Sequence, residues 1–487
     1  MNVFSGPNAV RDFLNPDRQP MLPLVELPAS LNPFAADGVR IFAKLMNFLP
    51  LANIKSLPAL SMFEQKERDG SLGEVTTLIE NSSGNTAFAL GIFAKLFGIG
   101  RARAIVSHEV SPGKLRLLRF FGVEVVVNEE AICPDPADTE TGIYKARKLG
   151  TQAGWWNPDQ YQNKANPEAH ARWTGPQILR QMEGSPTVFC AGLGTTGTMV
   201  GAGGFLKRSV PGITTVGVTR AANNPVPGVR TKNLLREISF DWNKTVDAVV
   251  EIGTKESFEH SLNMCRHGIV VGPSAGFCLA GLLRYLREKK EAGELDALRN
   301  KDHEVVAVFI CPDSPFPYID EYFEYLGEES FPQIENAELL QRKPSSVPTV
   351  ANASPVVNVS AAEAFAHLYD VTEAEAWQRT NHGEPISLRN GCVLIDLRDR
   401  LAFDHVHLAG AERVDRNELL EQIEQHAARW TGQRVYLICG YGNYSRVVAT
   451  QLRRLGCQAL SIDGGLLEWS RLQLPRFRAA ACRILHA

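Results

Sequence analysis

The chain has 487 residues, 44% of them hydrophobic and 22% charged, with a formal net charge of −3. That length exceeds what one hydrophobic core organises, so two or three domains are expected, with the apolar and charged shares of a soluble globular protein. The nearly balanced charge leaves out a nucleic-acid or membrane-surface partner, and nine scattered cysteines without Cys-x-x-Cys or zinc-type spacing leave out a metal site and fit a reducing compartment.

In chain order, the first segment, "MNVFSGPNAVRDFLNPDRQP", lacks the basic-then-apolar build of a secretory signal, so a cytoplasmic location is expected. The stretch "LMNFLPLANIKSLPALSMF", Leu45 to Phe63, carries a single formal charge, on Lys55. An ammonium inside a run that otherwise reads as core is costly unless it is paired, neutralised or used chemically. After the strand-like "EVTTLIE" comes "NSSGNTAFALGIFAKLFG", a turn of serines, glycine and asparagine opening a helix. Such a turn aims N–H groups and hydroxyls at one point, which suits a carboxylate or phosphate.

"RARAIVS", "GKLRLLRFFG" and "VEVVV" then read as strand, helix and strand, as do "SPTVFCAGL", "GTMVGAGGFLKRS" and "TTVGVT". Between the second strand and helix of that series, "GTTGT" from Gly194 to Thr198 forms an anion cradle, with hydroxyls on Thr195, Thr196 and Thr198. It is neither a P-loop nor a Rossmann fingerprint. A third turn, "VVGPSAGFCLAG", places Ser274 where a further strand is expected to meet a helix, in an apolar run too short and too broken to span a bilayer. Three such turns in one parallel α/β domain converge on the crevice where open sheets bind ligands. Patterning fades after "YIDEYFEYLGEES". The predicted organisation is a first domain over 1–330, a linker over 331–357 rich in Pro, Ser and Ala, and a small α/β domain over 358–487.

Lys55, "SSGNT", "NKANPEAHARWTGPQI", "GTTGT" and "GPSAG", in this order, resemble the cysteine synthase and cystathionine β-synthase family of pyridoxal-phosphate enzymes, of fold type II with two open α/β subdomains, along residues 40 to 325. The resemblance implies pyridoxal 5'-phosphate held covalently by Lys55, its ring oxygen on Asn85, its phosphate on Gly194, Thr195, Thr196, Gly197 and Thr198, and its ring nitrogen against Ser274. Ser82, Ser83, Thr86 and Gln160 would take the substrate carboxylate. A neutral serine at the ring nitrogen is expected to leave it unprotonated, which favours expulsion of a β-substituent, through an aminoacrylate, over transamination. The chain departs from the family around Lys55, at Asn81-Ser82 and at Ala87, so the substrate-facing set is altered while the cofactor set is intact.

"VLIDLRDRLAFDHVHLAGAERV", "VYLICGYGNYSRVVATQLRRLG" and "LSIDGGLLEW" resemble a rhodanese domain along residues 358 to 472. Cys439 ends an apolar strand and opens the loop Gly440, Tyr441, Gly442, Asn443, Tyr444, Ser445 and Arg446 before a helix, a setting that favours a thiolate and can hold a persulfide. Six residues separate Cys439 from Arg446, whereas a phosphatase loop has five; Tyr444 stands where rhodaneses commonly carry arginine. Cys392 and Cys457 read as buried small residues, and His405 and His407 as structural. The two resemblances together imply an α/β enzyme for β-elimination or β-replacement on a cysteine- or serine-type amino acid, coupled to sulfur transfer through Cys439. They imply an amino-acid substrate, a sulfur donor or acceptor, and a homodimer. The alternatives are a hydroxyamino-acid dehydratase or diaminoacid-forming synthase with a regulatory rhodanese domain, and a sulfur-responsive binding protein.

Overall fold

Apolar β-branched runs form most strands of three largely parallel sheets. The computed structural model describes residues 3–129, 138–183, 186–236, 238–335, 357–382, 384 and 386–478, and the chain divides into two compact units, Met1–Gln333 and Ile334–Ala487. The first unit holds β1 (Leu24–Glu26), β2 (Val39–Leu45), β3 (Thr77–Asn81), β4 (Arg101–Ser107), β5 (Glu124–Asn128), β6 (Trp155–Trp156), β7 (Val188–Gly192), β8 (Thr214–Arg220), β9 (Ala248–Ile252) and β10 (Val305–Cys311). Its larger sheet has the order β1-β2-β10-β7-β8-β9, parallel except for β1 on β2; its smaller sheet, β5-β4-β3-β6, is parallel throughout. β10 and β3 are buried at every position, which is why "VVAVFIC" and "TLIEN" show no in-out alternation.

The helix Ser56–Arg68 packs on the helices Asn85–Leu96 and Ala165–Ala169 and is anchored by Phe63. That ring is fully buried, with Trp156 at 4.9 Å, Phe97 at 5.0 Å and Phe93 at 6.1 Å between centroids. Burial of one such ring contributes about 2–3 kcal/mol and sets where the helix begins, at Lys55. The segments His170–Thr174 and Met199–Gly203 are π-helical turns that touch each other. Glycine makes the contact possible, since a Cβ on Gly201 would lie 2.1 Å from Pro167 O.

One expected strand is absent. Ile269–Gly272, read as a strand before Ser274, instead joins the helices Thr254–Arg266 and Pro273–Glu291. Ile269 and Val271 are in the core while Val270 is exposed, and the backbone bonds go elsewhere: Val271 O accepts from Ser261 Oγ at 2.8 Å and Gly272 N donates to Asp313 O at 2.9 Å. Ser274 therefore starts a helix that follows a connection between helices.

The second unit holds β11 (Asn358–Val359), β12 (Cys392–Asp396), β13 (Val406–His407), β14 (Glu412–Arg413), β15 (Arg434–Ile438), β16 (Gln458–Ile462) and β17 (Phe477–Arg478). Five of these form a parallel sheet, β11-β16-β15-β12-β14, and β13 pairs antiparallel with β17. Capping boxes at Ser360/Glu363 and Thr372/Glu375 fix its first two helices. Most of the expected linker, residues 336–356, lies outside the described residues. Among the described residues no helix is long and apolar enough to cross a membrane, and no group of three His, Cys, Asp or Glu has the geometry to hold a metal.

Candidate active sites

A cleft of about 480 Å³ opens at the C-terminal ends of β3, β4, β7 and β10, the edge at which open parallel sheets bind ligands. It is lined by Lys55, Ser82, Ser83, Asn85, Thr86, Gln160, Gly194 to Thr198 and Ser274, so all the residues singled out for cofactor and substrate in the first unit meet in one place.

Lys55 is the N-cap of its helix, its own N–H donating to Asn53 Oδ1 at 3.0 Å. No hydrogen bond or ion pair satisfies its ammonium among the described residues, and burial lowers its pKa to about 8. A lysine in that condition carries a usable free amine near neutral pH. His170, behind the anion loop, is buried neutral, its pKa driven down to about 3 by burial and by the charge of Lys55. Its ring joins Thr174 Oγ1 at 2.9 Å to Thr198 Oγ1 at 3.3 Å, which orients the last hydroxyl of the loop.

The anion loop is shaped by clearances that only glycine meets. A Cβ on Gly194 would lie 2.0 Å from Gly228 O, and one on Gly197 2.2 Å from Asn166 Oδ1. Thr196 takes φ 65°, a left-handed backbone that is costly for a β-branched residue. Asn166 Nδ2 bonds Thr195 Oγ1 at 3.0 Å and Gln160 O at 2.7 Å, tying the loop to the substrate side. Among the described residues, Thr196 Oγ1 and Asn166 Oδ1 are buried without a hydrogen-bond partner. An orphaned hydroxyl in a glycine-walled loop fits a bound phosphate, and with the Lys55 amine in the same cleft the residues fit pyridoxal phosphate.

On the substrate side, Thr86 Oγ1 donates to Gln160 Oε1 at 2.8 Å, and Ser82 Oγ accepts from Gly84 N at 3.3 Å at the start of the helix Asn85–Leu96. Asn85 and Ser274 both turn to a residue the sequence did not single out. Asp313, just after β10, accepts from Asn85 Nδ2 at 2.6 Å, Tyr318 OH at 2.6 Å and Ser274 Oγ at 3.2 Å. Other lining residues that sequence reasoning missed are Arg230, under the ring of Tyr161 at 4.7 Å, and the ion pair Lys114–Glu321 at 2.7 Å. Asn166 and His170 fell inside the quoted run "NKANPEAHARWTGPQI" but had no role there; Asp313 and Tyr318 had no signal beyond a Pro- and Ser-rich turn.

In the second unit, Cys439 follows β15 and is buried, and the helix Asn443–Arg454 starts from Gly442 at φ 82°. Ser461 Oγ donates to Ser445 Oγ at 2.9 Å, which leaves the Ser445 hydrogen for Cys439 Sγ at 3.5 Å, an arrangement suited to a thiolate. The loop is locked from behind: Leu466 N donates to Cys439 O at 2.9 Å, and a Cβ on Gly465 would lie 2.3 Å from that oxygen. Tyr441, Asn443 and Tyr444 are exposed at its mouth. Arg446, expected beside the thiol, reaches Asp463 at 3.5 Å and makes no hydrogen bond to Cys439 among the described residues. Arg416 lies 4.3 Å over the ring of Tyr444, so a guanidinium does stand at the mouth of the loop although residue 444 is not an arginine. Cys457 is buried as expected, whereas Cys392 keeps partial exposure; His407 bonds Phe403 O at 2.8 Å.

An open parallel-sheet fold that brings a buried lysine, a glycine-walled loop of hydroxyls and a serine-rich helix start into one crevice is the arrangement of a pyridoxal-phosphate enzyme, here joined to a cysteine-loop domain. The comparisons agree: residues 19–308 match the pyridoxal-phosphate dependent enzyme family, residues 368–472 match the rhodanese-like domain, and the chain belongs to that enzyme family and uses pyridoxal 5'-phosphate. It is 30% identical over 281 residues to a cysteine synthase of Staphylococcus aureus, covering 56% of this chain and 87% of that protein. It is also 30% identical over 304 residues to cysteine synthase B of Salmonella typhimurium, covering 61% of this chain and 91% of that protein. Among solved structures, a hydrogen sulfide-producing enzyme from Fusobacterium nucleatum shares the fold, with 23% identity, a TM-score of 0.55, and coverage of 66% of this chain and 100% of that one.

Proposed function

We propose that the first unit catalyses β-elimination and β-replacement on a cysteine- or serine-type amino acid, and that the second carries the sulfur given or taken as a persulfide on Cys439. The observation that supports this most is that Lys55, buried and without a partner for its amine among the described residues, lines one cleft with an anion cradle and a hydroxyl-rich helix start. Pyridoxal phosphate supplies the electron sink that acidifies the substrate α-proton. Lys55 Nζ binds the cofactor and is the base at the α-carbon, while Gly194 to Thr198 hold the phosphate, with Thr198 oriented by a neutral His170. Ser82, Ser83, Thr86 and Gln160 take the substrate carboxylate, Asn85 meets the ring oxygen and Ser274 the ring nitrogen.

In the second unit the Cys439 thiolate attacks the outer sulfur of a sulfane donor, which in the coupled direction is the persulfide expelled from a substrate whose β-sulfur bears a disulfide; the S–S bond breaks and the donor leaves as a thiolate, so no external oxidant is consumed. The reading includes a cytoplasmic homodimer, which sedimentation of the purified protein checks. The functional test is a screen with cysteine, O-acetylserine, O-phosphoserine and serine, measuring pyruvate, sulfide and replaced product. At least one should turn over in the parent and none in Lys55→Ala; no turnover of any overturns the reading.

A further inference from the structure

Glu80 is the next-to-last residue of β3, buried at 2% exposure just before Asn81 and Ser82, and it does not line the cleft. A carboxyl group in a strand that is otherwise core is costly unless its oxygens are satisfied. Here they face two different parts of the amino-acid site. Oε1 accepts from Asn81 N at 3.0 Å, where the serine turn begins, and Oε2 accepts from Gln160 N at 3.3 Å, 80 residues along the chain.

The charged groups that face Glu80 are Asp159, beside Gln160, and Arg147, on the helix Gly142–Gly150 that packs on β3; β4 brings Ala104 opposite it. Arg147 Nε donates to Asp159 Oδ2 at 2.7 Å. Asp159 takes φ 53°, a left-handed backbone unusual for a residue with a side chain, and the N–H that follows it is the one that meets Glu80. Burial and the charge of Asp159 raise the Glu80 carboxyl to about 8, against the pull of the two N–H donors and of Arg147. In either protonation state each oxygen keeps a lone pair, so both N–H groups stay satisfied. A glutamine has one accepting oxygen and would leave one of them facing an amide NH2. Two inward N–H groups therefore call for a carboxyl at this position.

Gln160 is held on every side. Its N–H goes to Glu80, its C=O accepts from Asn166 Nδ2 at 2.7 Å, its Oε1 accepts from Thr86 Oγ1 at 2.8 Å and its Nε2 donates to Asn81 O at 3.4 Å. One Nε2 hydrogen is left for a ligand. We propose that Glu80 is a positioning residue that clamps the Asn81–Ser82 turn to Gln160 and so sets the spacing between the two halves of the carboxylate site; this rests on the reading that Ser82, Ser83, Thr86 and Gln160 take the substrate carboxylate. Glu80 stands behind the site, and its effect passes through Gln160 and the turn.

The test is binding to the holoenzyme of L-serine and of ethanolamine, which lacks the carboxylate, both read from the absorbance of the bound cofactor. The parent should prefer L-serine. Glu80→Ala should weaken L-serine about 10- to 100-fold, the worth of one hydrogen bond to a charged group, and leave ethanolamine and cofactor occupancy unchanged. Glu80→Gln, which keeps one accepting oxygen, should fall between. The clamp acts through Gln160, so the variant carrying both Glu80→Ala and Gln160→Ala should bind L-serine little worse than Gln160→Ala alone. Equal weakening of both ligands in Glu80→Ala overturns the inference, as do effects that multiply in the double variant. A preference for L-serine that Gln160→Ala loses and Glu80→Ala keeps overturns the inference and leaves the carboxylate site standing. A parent with no preference for L-serine overturns the reading and the inference together. Should Glu80→Ala fail to fold, Glu80→Gln decides the matter: a reduced preference for L-serine supports the clamp, and an unchanged one overturns it.

Discussion

Titrating the cofactor-free protein from about pH 6 to about pH 9.5 reads the amine of Lys55, which burial brings from an ordinary 10.5 down to about 8. At pH 7 a lysine titrating near 8 is about one part in ten free amine, against about one in 3,000 for an ordinary lysine. The difference is a factor of about 300 in reactive species, reduced in part because a less basic amine is intrinsically less nucleophilic. The sign follows from desolvation: burial disfavours the ammonium, so capture of pyridoxal phosphate should rise through about pH 8 and level off above it. The assay is borohydride trapping for fixed short times at each pH, followed by mass spectrometry of the lysine-bearing peptides. Lys55→Arg, which keeps the charge but has no amine to condense, should trap nothing at that position. An inflection near 10 or above, or cofactor fixed on another lysine, would refute the reasoning.

Gly194→Ala, which sets a methyl 2.0 Å from Gly228 O, should cost about 1–3 kcal/mol in urea unfolding and lower cofactor occupancy; a fully loaded variant of parental stability would remove the loop from the site. Phe63→Ala should destabilise the first unit by about 3–5 kcal/mol, measured as the drop in denaturation midpoint, because it opens a cavity among Trp156, Phe93 and Phe97. Glu80, buried beside the Gln160 loop, has its carboxyl raised to about 8 by burial and the charge of Asp159. A raised folded value means the stabilisation is complete below the unfolded pKa of about 4.5 and is lost as pH climbs through about 8. Glu80→Gln should therefore flatten the fall in melting temperature between about pH 5 and 8.5, and an unchanged slope would show that another group titrates.

What the sequence disclosed was whatever it wrote as a contrast. Lys55 stood out as one charge in an apolar run, and "GTTGT" and "CGYGNYS" stood out because strands end there and the turn residues change at once. Where local composition and tertiary pairing disagree, the reading failed. Ile269–Val271 is β-branched and apolar, but its backbone is satisfied by Ser261 and Asp313 and no strand lies beside it to complete a ladder. Asn166 and His170 were given no role, since the π-turn that aims His170 at Thr198 touches a segment far along the chain. Asp313 was hidden most completely. Its partners Asn85 and Ser274 are distant in sequence, and only the fold brings three donors to one carboxylate.

The central claim, that the two units handle the same sulfur, is tested by the mass of one peptide, Val435–Arg446, after the holoenzyme has turned over a cysteine derivative bearing a disulfide. The account expects this peptide to gain one sulfur atom on Cys439 and to lose it on reduction. Cys439→Ala should gain nothing while still eliminating, and Lys55→Ala should gain the sulfur only from a sulfane donor added directly. Elimination in the parent with Cys439 left as a plain thiol, under substrate and donor alike, would contradict the account and leave the second unit without a part in sulfur transfer.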